Sequence, residues 1–468
     1  MRGAFAAVLL GAFLLSGAAG AQERRVGEVE LQAARVAFSE GRYRDVEEGL
    51  GALLRDEPLE PALRGEAQGL LERAAAWRMV TSPLRRETLQ AEVELLAPEE
   101  EWELLRPLVE EVLDGSRRAF PAPMERAPGF RVVILSRAEQ FAVVSDLGAA
   151  DVIGAGVRGV TLARTLFVLS PSAEPAGYDW QRVLAHELLH LLVRSSGGGP
   201  LPIWFEEGLV WSLDDLWRGG ALRKPGPVDM GLLGLAVRNR KLLDWARLEE
   251  SFGRAAEPRE ARLAFTQSAL AVRILLDRGG TEALWAICRG VGADRSFEDM
   301  LMEVTGYKLE RLQGRARTVW SRGSSREEMT AAGVLFDVET APAGVAAADR
   351  IHLADLLWGR GRRAAALRVL ESIDDDGLRA TATWCLRAGR LYLEEGRGDA
   401  ALDTVNRALE ISGEDGQLLL VRALAYETLG RVPEARTEME RVHRLQPFAA
   451  DVRAHLRRLR GGQDERDR

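Results

Sequence analysis

The chain is 468 residues long, enough for more than one domain. Its 46% apolar and 29% charged residues are ordinary for a globular protein. A net charge of −8 with no long basic run argues against nucleic acid as the main partner.

Residues 1–21 read as a targeting segment. Arg2 precedes an apolar run from Ala4 to Leu15, 12 residues long and too short to cross a bilayer as an ordinary helix. Ala19-Gly20-Ala21 then offers a cleavage site, with Gln22 as the mature start. No cysteine follows it, so a lipid anchor is not expected. The reading is an exported protein, periplasmic or secreted, with no stable membrane insertion after cleavage. Cys288 and Cys385 are the two cysteines, placed in different domains and read as structural thiols.

Residues 22–80 read as a helical, repeat-like region, with Ala34, Gly41, Val46, Leu50 and Pro58 on a helix-hairpin template. Residues 81–322 differ. Leu89, Ala91, Val93 and Leu95 alternate with polar neighbours, a period of two that predicts a strand over 88–95. Glu99 to Phe120 carries the period of an amphipathic helix. Arg131 to Leu135 and Leu166 to Leu169 predict two more strands, with a Gly-rich loop over 146–159 between them. Asp179 stands as an N-cap, and three glycines between Ser195 and Pro200 end the helix that follows. Helices return from Phe265 to Trp320, and 323–348 reads as a linker. The fold class is therefore α+β, a small sheet with a helical C-terminal part, flanked by all-α repeats.

The C-terminal third repeats. Gly396 and Gly430, Tyr392 and Tyr426, and Ala401 and Ala435 are each 34 residues apart. That period, with small residues at helix crossings, is the tetratricopeptide pattern, a stack of helix hairpins. A weaker unit with Ala354, Gly361 and Ala366 precedes them. The repeats are expected over 349–461 with a capping helix, then a polar tail at 462–468. They imply a protein partner.

Chemistry concentrates at His186-Glu187-Leu188-Leu189-His190. The chain has five histidines, and two of them lie here, four apart. On a helix that spacing puts both imidazoles on one face, where they can grip one metal ion. Glu187, beside the first histidine, is the general base of such a site. A third ligand is needed, and no histidine occurs between His190 and His352. The pattern with a glycine at 193 and a histidine at 196 is excluded, because this chain has Val193 and Ser196. A carboxylate remains, and Glu206 and Glu207 stand together in an apolar helix start. Helical geometry does not separate them, since they lie about 100° apart on the wheel.

HELLH followed by Pro202, Trp204, Phe205, Glu207 and Gly208 resembles the gluzincins, in particular the peptidase MA-like family of bacterial exported proteins. The resemblance covers residues 80–322, including Ser170-Pro171 and Asp179-Trp180 before the motif. It implies a zincin-like metallopeptidase domain holding one Zn2+ through His186, His190 and Glu207. It also implies metal-assisted hydrolysis of a protein or peptide substrate, with Glu187 as base. Tyr178 and Tyr307 are the tyrosines available to steady an oxyanion. Asp214-Asp215 depart from the family pattern and receive no role. Gly208 is expected to let its helix approach the metal helix closely. The rival reading is a repeat-based envelope scaffold with a structural or inactive metal domain.

Overall fold

The structure is a computed structural model that describes residues 27–464 except 57–58, 146–156, 175–176, 253–257, 322–341 and 375–378. The leader at 1–21, most of the Gly-rich loop at 146–159, most of the linker at 323–348 and residues 465–468 of the tail lie outside the described residues. The described chain is mostly helical with one small mixed sheet, and it divides into two compact units.

The first unit takes the described parts of Met1–Arg106, Pro128–Ile153 and Gly159–Leu169. It opens with helices α1 (residues 27–39), α2 (Tyr43–Asp56) and α3 (Pro61–Thr81). The end of α1 closes on Gly41, whose φ of 68° is the left-handed conformation that glycine tolerates. Gly41 N–H donates to the Phe38 carbonyl at 3.0 Å and Arg42 N–H to Ala37 at 2.9 Å. A Cβ on Gly41 would fall 1.0 Å from Nη1 of Arg131, so the guanidinium occupies the space a side chain would need. Arg131 is buried, donates to the Ser39 carbonyl at 2.9 Å and lies over the Tyr43 ring.

The sheet contains β1 (Arg85–Thr88), β2 (Val93–Ala97), β3 (Phe130–Leu135), β4 (Gly159–Leu162) and β5 (Thr165–Leu169). Its order is β1-β2-β3-β5-β4, with the two central pairings parallel and both edges antiparallel. All of β3 and β5 is buried, as parallel central strands require. The single strand expected over 88–95 is instead a hairpin. Thr88 pairs with Glu94, Leu89 N–H donates to the Val93 carbonyl at 2.7 Å, and Glu92 takes a φ of 59°. The short 3-10 turn Gln90–Glu92 brings Leu89 and Val93 back to the core together. Alternation marks which residues face inward, and it is blind to a reversal that preserves them. Strand β4, at the end of the expected loop, was not legible either.

Helix α4 (Trp102–Ala119) begins in the first unit, and the division falls at its Pro107. Helix α5 (Pro121–Arg126) belongs to the second unit and α6 (Ala138–Ser145) to the first. From Ser170 onward the chain is in the second unit. There follow α7 (Trp180–Ser196), α8 (Ile203–Leu213), α9 (Pro227–Arg238) and α10 (Trp245–Glu250). Next come α11 (Pro258–Gly290, broken at Gly280 with φ 67°), α12 (Phe297–Thr305) and α13 (Leu309–Trp320). Trp204 meets Trp245 edge-on at 4.9 Å, and Trp245 meets Trp320 at a tilt at 5.3 Å. Trp320 Nε1 donates to the Gln267 carbonyl, while the Gln267 side chain pairs both backbone groups of Leu243. The tryptophan at 204 is thus core.

Helix hairpins complete the second unit: α14 (Pro342–Gly359) with α15 (Arg363–Glu371), α16 (Ala382–Glu394) with α17 (Gly398–Ser412), and α18 (Gly416–Thr428) with α19 (Val432–Leu445). Helix α20 (Ala450–Asp464) follows them. Gly361, Gly396 and Gly430 turn the three hairpins at φ of 73°, 70° and 72°. The next residue donates its N–H five residues back, from Arg397 to Tyr392 and from Arg431 to Tyr426, both at 2.8 Å. Each of those arginines then lies over the same tyrosine ring. Gly389 leaves room for Val405 and Val421, and Ala401, Ala408, Ala423 and Ala435 are fully buried. Cys288 and Cys385 are buried free thiols.

Two alanine substitutions should move stability in opposite directions. Gly41→Ala strains a left-handed residue by about 1–2 kcal/mol and also displaces Arg131. Gly49→Ala, on α2 where a Cβ meets nothing within 4 Å, should stabilise by about 0.5–1 kcal/mol. Thermal unfolding of the two variants reads both shifts.

Candidate metal centre

Two helices carry the site. Asp179 caps α7, its Oδ1 accepting the Arg182 N–H at 3.1 Å. Such a cap is worth about 1 kcal/mol and fixes where the helix begins. From that start, His186 and His190 fall on one face with their rings 4.9 Å apart. Pro202 opens α8, and its carbonyl accepts the N–H groups of Phe205 and Glu206. Gly208 then seats α8 against α11: a Cβ there would lie 2.7 Å from the Ser268 carbonyl and 2.8 Å from Val272. The glycine was expected to admit the metal helix, but the close neighbour is α11. A sequence shows that a helix needs a bare face and not which element fills it.

The packing brings three ligand atoms together. His186 Nε2 and His190 Nε2 are 3.3 Å apart, and Glu207 Oε2 lies 3.7 and 3.5 Å from them. A tetrahedral zinc with bonds of about 2.0–2.1 Å separates its ligand atoms by about 3.3–3.4 Å. The three side chains therefore fit one metal ion, and among the described residues they form the group that could hold one.

Glu206 turns elsewhere. Its Oε1 lies 2.6 Å from His190 Nδ1 and accepts from Arg194 Nε at 2.7 Å. On the other imidazole, Asp214 Oδ2 lies 3.5 Å from His186 Nδ1 and accepts from Arg223 at 2.9 Å. Asp214 is almost fully buried, and its Oδ1 has no hydrogen-bond partner. Each histidine thus presents Nε2 to the shared point and Nδ1 to a carboxylate. Such outer carboxylates set the tautomer and the ring orientation of metal-binding imidazoles.

The electrostatics agree. Burial would lower the His190 pKa, but Glu207 and Glu206 override it and raise it to about 10. Burial likewise opposes the rise at His186, which Asp214 and Glu207 produce. Burial would raise Glu207, but His190 and His186 hold it well below the carboxylate range. The acids around the two imidazoles thus favour positive charge at the site. Glu187 is buried too, and its charge acts on both imidazoles.

The wheel left Glu206 and Glu207 unresolved, and the structure parts them by which imidazole nitrogen each faces. Asp214, Arg223 and Arg194 escaped the sequence reading. Their signal was weak: two acids at 214–215 after an apolar helix, and a basic residue one turn past His190. Tyr178 has Arg158 over its ring, and burial, aided by Glu174, pushes its phenol well above the usual range. Tyr307 is buried beneath Arg278 and Arg311.

No family model and no curated protein matches this chain. Among solved structures it is similar to native yeast leukotriene A4 hydrolase, with TM-score 0.35 and 14% identity over 78% of this chain and 62% of that one. A second structure of that hydrolase from Saccharomyces cerevisiae gives TM-score 0.33 and 12% identity, over 78% and 63%. The chain spans less than two thirds of the length of either.

Substitution should rank the four acids. Glu207→Ala should abolish stoichiometric zinc binding. Glu206→Gln and Asp214→Asn should each weaken it by about 10–100-fold, whereas Asp215→Asn should leave it near wild type. Competition with a chromophoric chelator measures all four.

Proposed function

We propose that the chain is a zinc-dependent metallopeptidase of gluzincin type. The observation that carries this reading is the convergence of His186 Nε2, His190 Nε2 and Glu207 Oε2 at tetrahedral spacing beside a buried glutamate. Two histidines and one carboxylate suit zinc, and three protein ligands are what catalytic zinc sites use, where structural ones use four. A zinc ion held there would polarise a scissile carbonyl and activate a water for attack.

The protein's own groups divide the remaining work. Glu187 takes the proton from the attacking water and returns it to the leaving amine. Glu206 and Asp214 hold the imidazoles in one tautomer, and Arg194 and Arg223 hold those carboxylates in turn. Burial of Glu187, His190 and Asp214 keeps bulk water from competing for their charges. The substrate class is a protein or peptide. Tyr178 and Tyr307 stay as candidates for the oxyanion.

The domain plan we propose is a leader at 1–21, a helical region at 22–80, the peptidase domain at 81–322, a linker at 323–348 and repeats over 349–461, with the first hairpin helix already starting at Pro342 inside that linker. We read those repeats as tetratricopeptide hairpins that recruit substrate or a protein partner. The repeated glycine turns and Arg-on-Tyr stacking support that reading. No helix of the described residues is long and apolar enough to cross a membrane. Export rests on the leader.

Glu187→Gln separates the enzyme from the scaffold. It should keep one equivalent of zinc and lose about 10²–10⁴-fold of hydrolysis on an unstructured protein substrate. Wild-type protein loaded with zinc and inert across a broad peptide library would favour the scaffold.

A further inference from the structure

Arg218 lies in the 3-10 turn Leu216–Arg218, just past the helix that carries Glu207. Its Nη2 donates to both oxygens of Asp179, at 2.8 and 3.0 Å. Asp179 is the cap of the helix that carries both histidines. One guanidinium therefore ties the start of α7 to the end of α8, the two elements whose separation sets the ligand triangle. Its Nη1 also lies 3.9 Å from Glu414 Oε2, in the turn between α17 and α18. Glu414 is paired in turn with Arg441 of α19.

A second contact runs alongside the first. Gly177, two residues before the cap, has φ of 70°, and a Cβ there would meet Gln446 Cγ at 2.3 Å and the Leu445 carbonyl at 2.8 Å. The end of α19 is therefore seated on the strand of chain that leads into α7. The turn bearing Arg218 is braced from behind, since a Cβ on Gly115 of α4 would lie 2.2 Å from the Trp217 carbonyl. The hairpins also pack through α17 on α9, but the contacts at Arg218 and Gly177 are the ones that lie beside Asp179.

We propose that Arg218 is a positioning residue through which the C-terminal hairpins set the first turn of the metal-bearing helix. A protein partner that shifts α17–α19 then alters metal retention without touching a ligand. This rests on the metal-site reading above. A rigid link suits such coupling because Asp179 accepts hydrogen bonds from the amide it caps and from Arg218, with the Arg182 guanidinium farther off at 3.9 Å.

The test uses the full chain and two readouts, hydrogen exchange in the first turn of α7 (Arg182 and Val183 amides) and the rate of zinc release to a chelator. Arg218→Gln should raise both by about 10-fold, and Glu414→Gln by about 3-fold, at unchanged melting temperature. Glu410→Gln, an exposed acid on α17, is the control and should match wild type. Gly177→Ala, which strains a left-handed residue as well as wedging Gln446 away, should exceed Glu414→Gln in both readouts. Glu414→Gln and Gly177→Ala both indistinguishable from wild type would overturn the proposal. So would raised exchange with unchanged zinc release, since the cap would then be uncoupled from the ligands. A wild type that holds no zinc would instead overturn the metal-site reading, and the exchange comparison, which needs no metal, would still decide the coupling.

Discussion

The close approach of His186 Nε2, His190 Nε2 and Glu207 Oε2, within 3.3–3.7 Å of one another, is the constraint around which the site is built. The carboxylates around the two imidazoles favour positive charge there, carried by the imidazoles themselves or by a bound cation. The surrounding architecture holds the three at that spacing. Asp179 sets the start of one helix, Pro202 the start of the other, and Gly208 lets the second sink onto α11. Glu206 and Asp214 then occupy the outer nitrogens, leaving both Nε2 atoms turned inward.

The supporting layer is more elaborate than a bare motif would need. Each outer carboxylate is itself held by an arginine, Arg194 on one side and Arg223 on the other. Behind α8, the chain of Trp204, Trp245 and Trp320 fills the interior and ends on the Gln267 carbonyl. Stiff aromatic packing of this kind limits the play of a helix that must place a ligand to within a fraction of an ångström. The hairpins belong to the same compact unit as α7. They meet it at Gly177 and at Arg218, both close to the cap.

What was legible in the sequence were the features with local causes. HELLH stands out because histidine is rare and a spacing of four has one geometric meaning on a helix. Asp179 was readable as a cap because a short acid before an apolar run does that work wherever it occurs. The turns at Gly396 and Gly430 were readable from a period of 34. What stayed hidden depends on partners distant in sequence. The wheel could not part Glu206 from Glu207, because the choice lies in which nitrogen of His190 each one faces. Asp214 looked like the end of a helix and lies against His186. The strand read over 88–95 was a hairpin, because Leu89 and Val93 keep the same inward face on either side of a reversal.

The most direct test of the central claim is X-ray absorption at the zinc edge of the metal-loaded full chain. A four-coordinate ion with two imidazoles and two oxygens at about 2.0–2.1 Å, and no sulfur, is the expected spectrum. A thiolate shell, or a six-oxygen shell without imidazole scattering, would contradict it.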